Sequence, residues 1–85
     1  MTGKYAPLEH YLRNLPADQN EITLAFAEIE RILNDTLPAS AYGYEAWWAN
    51  EKEGNHVNGR SWSAAGWKIE SLDLKEKWVK LIRVG

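Results

Sequence analysis

The sequence predicts a small α+β domain made of three helices and an antiparallel sheet that ends in a C-terminal hairpin. Two segments carry apolar residues at helical spacing, whereas others alternate with a period of two. The chain has 85 residues, which is the length of one domain, so we assign residues 1–85 to a single unit. Five Trp, four Tyr and one Phe supply the large side chains that so small a core requires.

The first half of the chain predicts a helix, a strand and a second helix. In residues 5–15 the apolar side chains recur at spacings of three and four, which is one helical stripe: Tyr5, Leu8, Leu12 and Leu15. The sequence EITLAF, residues 21–26, alternates with period two and predicts a short strand. A second helix follows over residues 26–34, with one apolar face: Phe26, Ile29, Ile32 and Leu33.

The ends of the second helix carry recognisable signals. Ala25 occupies the predicted N-cap, where its side chain cannot accept a hydrogen bond, but Glu28 can reach back to the Ala25 N–H. Asn34 suits the left-handed conformation that ends many helices.

The sequence YEAWWAN, residues 44–50, places two tryptophans side by side. As a helix, this segment would set Trp47 and Trp48 about 100° apart, and one broad face could bury both. Gly43 and the aromatic density favour an extended segment instead. Neighbours in an extended chain point to opposite faces, so we expect Trp48 to be buried and Trp47, on the face of Glu45, to be at least partly exposed.

The last third predicts a helix and a hairpin. The helix begins near His56 and ends before Gly66, a good C-terminal cap, although Gly59 inside it costs up to about 1 kcal/mol relative to Ala. Two alternating runs follow, joined by a turn over residues 73–77. In the first run, Trp67, Ile69 and Ser71 are predicted to share one face. The predicted core takes residues from every element: Leu8, Leu12, Leu24, Phe26, Ile29, Leu33, Trp48, Trp62, Trp67, Ile69 and Ile82.

The order helix–strand–helix–helix–hairpin is similar to that of a winged helix, a likeness that concerns the fold alone. Several blocks also resemble one family: YAPLEHYL, LAFAEIERIL, LPASA, AWWAN, and then AGW before a final hairpin ending in LIR. That family comprises small, largely uncharacterised bacterial and phage domains, found alone or fused to nuclease and restriction-type proteins. The resemblance covers nearly the whole chain and implies a setting related to nucleic acids or to defence.

Composition excludes several kinds of chemistry. The chain has no cysteine, so it has no disulfide, no thiolate zinc site and no cysteine nucleophile. His10 and His56 are the only imidazoles, and their spacing is not that of a metal site. No phosphate-binding loop, nucleophile motif or paired-carboxylate signature is present, so we expect no enzyme, metal or cofactor. Without an apolar run of membrane-spanning length, a cytoplasmic location is expected.

The charges are distributed unevenly. The formal net charge is −2, which argues against a wholly basic surface. Residues 1–50 carry three basic and seven acidic side chains, whereas residues 51–85 carry seven basic and five acidic ones. The second part could therefore present one positive face.

The third helix, the residues just before it and the hairpin turn carry the candidate nucleic-acid-binding residues: Lys52, Asn55, His56, Asn58, Arg60, Ser61, Ser63, Lys75 and Lys77. Asn, Arg and Ser side chains read base edges or hold phosphates, and lysines in the turn could act as a wing. A solvated helix face and an ordinary charged turn would give the same pattern. We therefore expect a non-enzymatic nucleic-acid-binding module, DNA favoured, in bacterial or phage regulation or defence. The alternative is a protein-interaction module, or small inhibitor, that uses Trp47 and the acidic first half.

Overall fold

A computed structural model describes residues 5–48 and 62–84 of the chain. These residues form helices and a three-stranded antiparallel sheet, which is the predicted α+β class. The elements are α1 (Ala6–Arg13), β1 (Glu21–Ala25), α2 (Phe26–Leu33), α3 (Ala39–Gly43), a 3₁₀ turn (Glu45–Trp48), β2 (Trp67–Asp73) and β3 (Trp78–Arg83). Residues 62–64 are also helical.

The predicted α2 and its ends are confirmed. Ala25 is the N-cap, and its N–H donates to Glu28 Oε1 at 2.9 Å. Because alanine has no acceptor, this bond supplies one half of a capping box. At the other end, Asn34 adopts the left-handed conformation with φ 55° and ψ 40°.

The sheet order is β1-β3-β2, so β3 is paired on both sides. Residues opposite each other in an antiparallel pair point to the same face. Leu24 lies opposite Val79 and Ile22 opposite Leu81, and this face packs into the core. The other face, which we call the outer face, carries Trp78, Lys80 and Ile82 of β3 and their cross-strand neighbours.

Two predictions about the sheet are wrong. Ile82 was predicted in the core, but it lies on the outer face and is partly buried, because Val79 and Leu81 are the β3 residues that face the helices. Ser71 was predicted to share the face of Trp67. A register shift between Ile69 and Ser71 instead turns Ser71 towards the outer face, opposite Lys80.

Residues 45–48 form a 3₁₀ turn, and the prediction of an extended segment is wrong there. Trp48 Nε1 donates to Ala41 O at 2.8 Å, which requires the chain to fold back onto α3. The folded-back Trp48 ring is stacked on Phe26 at 4.9 Å and on Trp62 at 5.9 Å between centroids. An extended segment would carry Trp48 away from these partners, so packing decides the conformation.

The core otherwise agrees with the sequence. Every predicted core residue except Ile69 and Ile82 is buried, and Ile69 is partly buried against the cluster. Buried residues that were not predicted come from the connection after α2, from α3 and from β3: Leu37, Ala41, Val79 and Leu81. Gly66 has φ 83°, as expected of a residue that ends a helix, and its carbonyl accepts from Val84 N–H.

Candidate nucleic-acid surface at the hairpin tip

Six of the predicted site residues lie outside the residues that the structure describes: Lys52, Asn55, His56, Asn58, Arg60 and Ser61. The other four are Trp47, Ser63, Lys75 and Lys77. Ser63 is partly buried in the helical residues before Gly66, and its carbonyl accepts from the Gly66 N–H at 3.1 Å. Lys75 and Lys77 lie together in the turn between β2 and β3, which we call the hairpin tip (residues 73–77).

Hydrogen bonds from Asp73 define the hairpin tip. Its Oδ1 accepts from the backbone N–H groups of Lys75 and Glu76, both at 2.9 Å. Its carbonyl accepts from the Lys77 N–H at 2.7 Å. These bonds combine an Asx turn with a backbone turn, because the sequence supplies an aspartate at the first position. Lys77 completes the reversal with φ 61°, in the left-handed region.

Two contacts fix the tip to the rest of the domain. The Phe26 N–H donates to Lys77 O at 2.9 Å, which joins the tip to the start of α2. Leu74, which the sequence analysis assigned to no particular role, is partly buried against the core. The backbone that carries the two lysines is therefore anchored at both ends.

The tip lysines are the exposed cations that the turn presents. Lys75, Glu76 and Lys77 are all exposed, and none of them forms an ion pair within residues 5–48 and 62–84. Neither lysine is held in an ion pair with a described acid, so each keeps an attraction for an anion, which the charges of Asp73 and Glu76 in the same turn reduce.

Two arginines, Arg13 and Arg83, are engaged in the fold. Arg13 binds Glu9 and donates to Ala64 O, and Arg83 donates to Gln19 O and Pro16 O. The Arg83 guanidinium also lies 4.6 Å from the centre of the Trp67 ring. These contacts leave the two arginines little freedom to bind a phosphate.

Lys80 is also engaged, on the outer face of the sheet. It lies 3.2 Å from Glu70 Oε1 and 3.4 Å from Glu21 Oε2. The hydrogen bonds to Glu70 and then to Glu21 raise the pKa of Lys80. Its charge is balanced by acids of the same sheet, in contrast to the tip lysines.

Trp47 is partly buried. Its ring packs edge to face against Trp48 at 4.6 Å and against Tyr5 at 5.9 Å. Much of the ring therefore contacts the protein itself, and the part left exposed is smaller than that of Tyr44, whose exposed fraction is 67%. An extended segment would have placed Tyr44 on the buried face of Trp48, whereas the 3₁₀ turn that follows Tyr44 leaves this ring exposed.

The outer face of the sheet was not predicted from the sequence. Trp78 and Ile82 are partly buried there but do not pack against the core. The alternation in WVKLIR separated the two faces of β3 correctly, yet it did not say which face the helices cover.

A shallow, open depression of about 410 Å³ lies at the C-terminal end of α2. Its lining includes Glu30, Arg31 and Asp35. Within the described residues, no group of three or more His, Cys, Asp or Glu side chains could hold a metal ion. In the same part of the chain, no helix is long and apolar enough to cross a membrane.

The chain belongs to the family described as domain of unknown function DUF7662, whose model matches residues 5–83. No curated protein and no solved structure matches the chain. The family match agrees with the resemblance to a small domain family seen in the sequence, and it assigns no activity.

Proposed function

We propose that this domain is a non-enzymatic nucleic-acid-binding module, with DNA favoured, and that the hairpin tip contacts the phosphate backbone. The observation that carries the proposal is the conformation of Lys77. A non-glycine residue in the left-handed region costs about 1 kcal/mol, and glycine or asparagine is the usual choice there. Lys77 has φ 61°, is exposed and forms no ion pair with any described acid. Folding gives no reason for a lysine at this strained position, whereas a contact with phosphate does.

The order of the elements is compatible with the proposal by analogy of fold, which cannot carry function by itself. In the winged-helix arrangement that the sequence suggested, a helix and the hairpin that follows it both contact nucleic acid. Here the helical residues 62–64 lead through Gly66 directly into β2. The predicted contacts of that helix, Asn58 and Arg60 among them, lie outside the described residues and remain part of the proposal.

The kind of contact follows from the side chains of the tip. Lysine is a point charge that suits a phosphate, whereas the planar side chains that read base edges with two hydrogen bonds are chiefly Arg, Asn and Gln. The tip, with sequence DLKEK, contains none of these three. We therefore assign the tip a sequence-independent role, and the net charge of −2 leads us to expect modest affinity.

The test is a titration of labelled duplex and single-stranded oligonucleotides of mixed sequence, followed by fluorescence anisotropy at several salt concentrations. If Lys75 and Lys77 each neutralise one phosphate, the double variant K75A/K77A lowers the slope of log Kobs against log salt by about two on duplex DNA. The single variants K75A and K77A should each lower the slope by about one, and K68A, which also removes one charge, is their matched control. Lys68 is an exposed lysine of β2, about five residues or roughly 16 Å along the strand from the tip.

If K68A changed the salt slope as much as a single substitution at the tip does, binding would depend on net charge alone and not on the tip. Absence of binding by the folded wild-type domain at low salt would refute the proposed function.

The outer face of the sheet favours a second candidate, a protein-interaction module. Trp78 and Ile82 lie on either side of Lys80 there, and Glu21 and Glu70 flank that lysine. A partly exposed Trp on the same face as an aliphatic side chain can anchor a protein partner, and nearby carboxylates repel phosphate. Binding of a partner protein that persists at high salt and is lost in W78A would favour this candidate over the first.

A further inference from the structure

We infer that Asp73 is a positioning residue for the hairpin tip and sets the geometry in which Lys75 and Lys77 meet phosphate. The inference rests on the proposed function and extends it to a residue that would itself repel the ligand. The observation behind it is an acid placed at the base of a turn whose exposed cations face solvent.

The carboxylate of Asp73 acts on the backbone of the tip. Its Oδ1 accepts from two consecutive N–H groups, those of Lys75 and Glu76. Short polar side chains that bond the backbone two and three residues ahead hold a turn in one conformation. With the Lys77 N–H on the Asp73 carbonyl, a single residue holds the backbone of all three exposed positions of the tip.

Positioning and electrostatics oppose each other at this residue. The negative charge of Asp73 weakens the attraction of the two lysines for phosphate. Its hydrogen bonds, in contrast, fix the backbone from which the lysine side chains extend. Loss of the charge alone should therefore strengthen binding. Loss of the hydrogen bonds as well should cancel part or all of that gain in affinity, because the released lysines must be ordered when they bind.

Two substitutions separate the effects. Asp73→Asn keeps the Oδ1 acceptor and removes the charge, whereas Asp73→Ala removes both. The electrostatic control is Glu76→Gln, since among the described hydrogen bonds of the turn none uses the Glu76 carboxylate. We expect Asp73→Asn and Glu76→Gln each to tighten duplex DNA binding by about two- to fivefold at low salt. Asp73→Ala should bind at least about fivefold more weakly than Asp73→Asn.

A second readout does not require nucleic acid. Hydrogen exchange of the Lys75 and Glu76 amides, followed by NMR on the free domain, should accelerate in Asp73→Ala and change little in Asp73→Asn. If the wild type fails to bind DNA, the proposed function is lost while this exchange result still decides whether Asp73 orders the tip.

Equal affinities of the Asp73→Ala and Asp73→Asn variants, or unchanged amide exchange in Asp73→Ala, would overturn the inference. Should Asp73→Ala fail to fold, the comparison of Asp73→Asn with Glu76→Gln decides. Weaker binding or faster amide exchange in Asp73→Asn than in Glu76→Gln would show that the neutral Oδ1 acceptor does not hold the tip.

Discussion

The backbone N–H of Phe26 donates a 2.9 Å hydrogen bond to the carbonyl oxygen of Lys77. Phe26 is the first residue of α2, so its N–H has no partner within the helix and would otherwise face solvent or remain unpaired. The Phe26 ring is fully buried and stacks on Trp48. One residue thus joins the aromatic core to the proposed phosphate contact, and the position of the tip depends on the packing beneath it.

Truncation of Phe26 should be among the most damaging single changes in the chain. Phe26→Ala removes a ring that contacts both Trp48 and Tyr42, and we expect a loss of about 3–5 kcal/mol in the free energy of unfolding. Urea denaturation followed by circular dichroism measures it. The control is Tyr44→Ala, because that ring is 67% exposed and should contribute within about 0.5 kcal/mol. Similar losses in both variants would contradict the described core.

Lys77→Gly should separate stability from binding. Glycine relieves about 1 kcal/mol of left-handed strain, and the extra entropy of the unfolded chain offsets about 0.5–1 kcal/mol of this. We expect a domain that is unchanged or up to about 0.5 kcal/mol more stable, whose salt slope on duplex DNA is lower by about one.

Lys75→Ala is the matched control for this variant, since Lys75 is not among the described residues with positive φ. It should lower the salt slope to the same extent without any gain in stability. A clear destabilisation by Lys77→Gly would show that the lysine side chain is held for folding and would remove the main support for the proposed function.

Local signals in the sequence were sufficient for α2 and for the hairpin. Short sequence patterns determine the ends of α2, because each feature involves near neighbours in the chain. These features are the hydrogen bond from the Ala25 N–H to Glu28 and the left-handed conformation of Asn34. The turn after Asp73 is local in the same sense. The two lysines of the candidate site could be located for this reason.

Contacts between distant residues decided the features that the sequence did not predict. The 3₁₀ turn at residues 45–48 depends on the stacking of Trp48 between Phe26 and Trp62, which no pattern within the turn encodes. Which side chains of β3 are buried depends in the same way on which face of the sheet the helices cover. The bulge near Ser71 exchanges the faces to which the side chains in the later part of β2 point.

The hydroxyl of Tyr42 should make the stability of the domain sensitive to alkaline pH. It donates to Glu30 Oε2 at 2.8 Å, and the same oxygen accepts from the Leu37 N–H at 2.8 Å. Burial first, and then the hydrogen bond to Glu30, raise the pKa of Tyr42. A raised pKa means that the fold favours the neutral phenol. Its contribution is therefore complete below the unfolded pKa of about 10 and is lost as the pH rises through the folded value.

Tyr42→Phe tests this dependence. At neutral pH we expect a loss of about 0.5–1.5 kcal/mol for the missing hydrogen bond. Above about pH 10 the variant should lose stability less steeply than the wild type. Part of the decline should remain in the variant, because the pKa values of Tyr5 and Lys80 are also raised. Urea midpoints measured between about pH 7 and 11 provide the comparison, with Tyr44→Phe as the exposed control. Parallel curves for the wild type and Tyr42→Phe would exclude the phenol as a source of the effect.

The adjacent tryptophans should differ sharply in their contribution to stability. Trp48 has an exposed fraction of 2%, stacks on two rings and donates to Ala41 O, so Trp48→Phe leaves both a cavity and an unpaired carbonyl. We expect it to cost about 2–4 kcal/mol. Trp47→Phe keeps an aromatic ring in a partly buried site and should cost less than about 1.5 kcal/mol. Urea unfolding of the two variants, followed by circular dichroism, gives the two free energies of unfolding. They can be compared directly if the m-values of the variants are equal. Equal losses would mean that Trp47 contributes to the core as much as Trp48 does, which would contradict the described difference in burial.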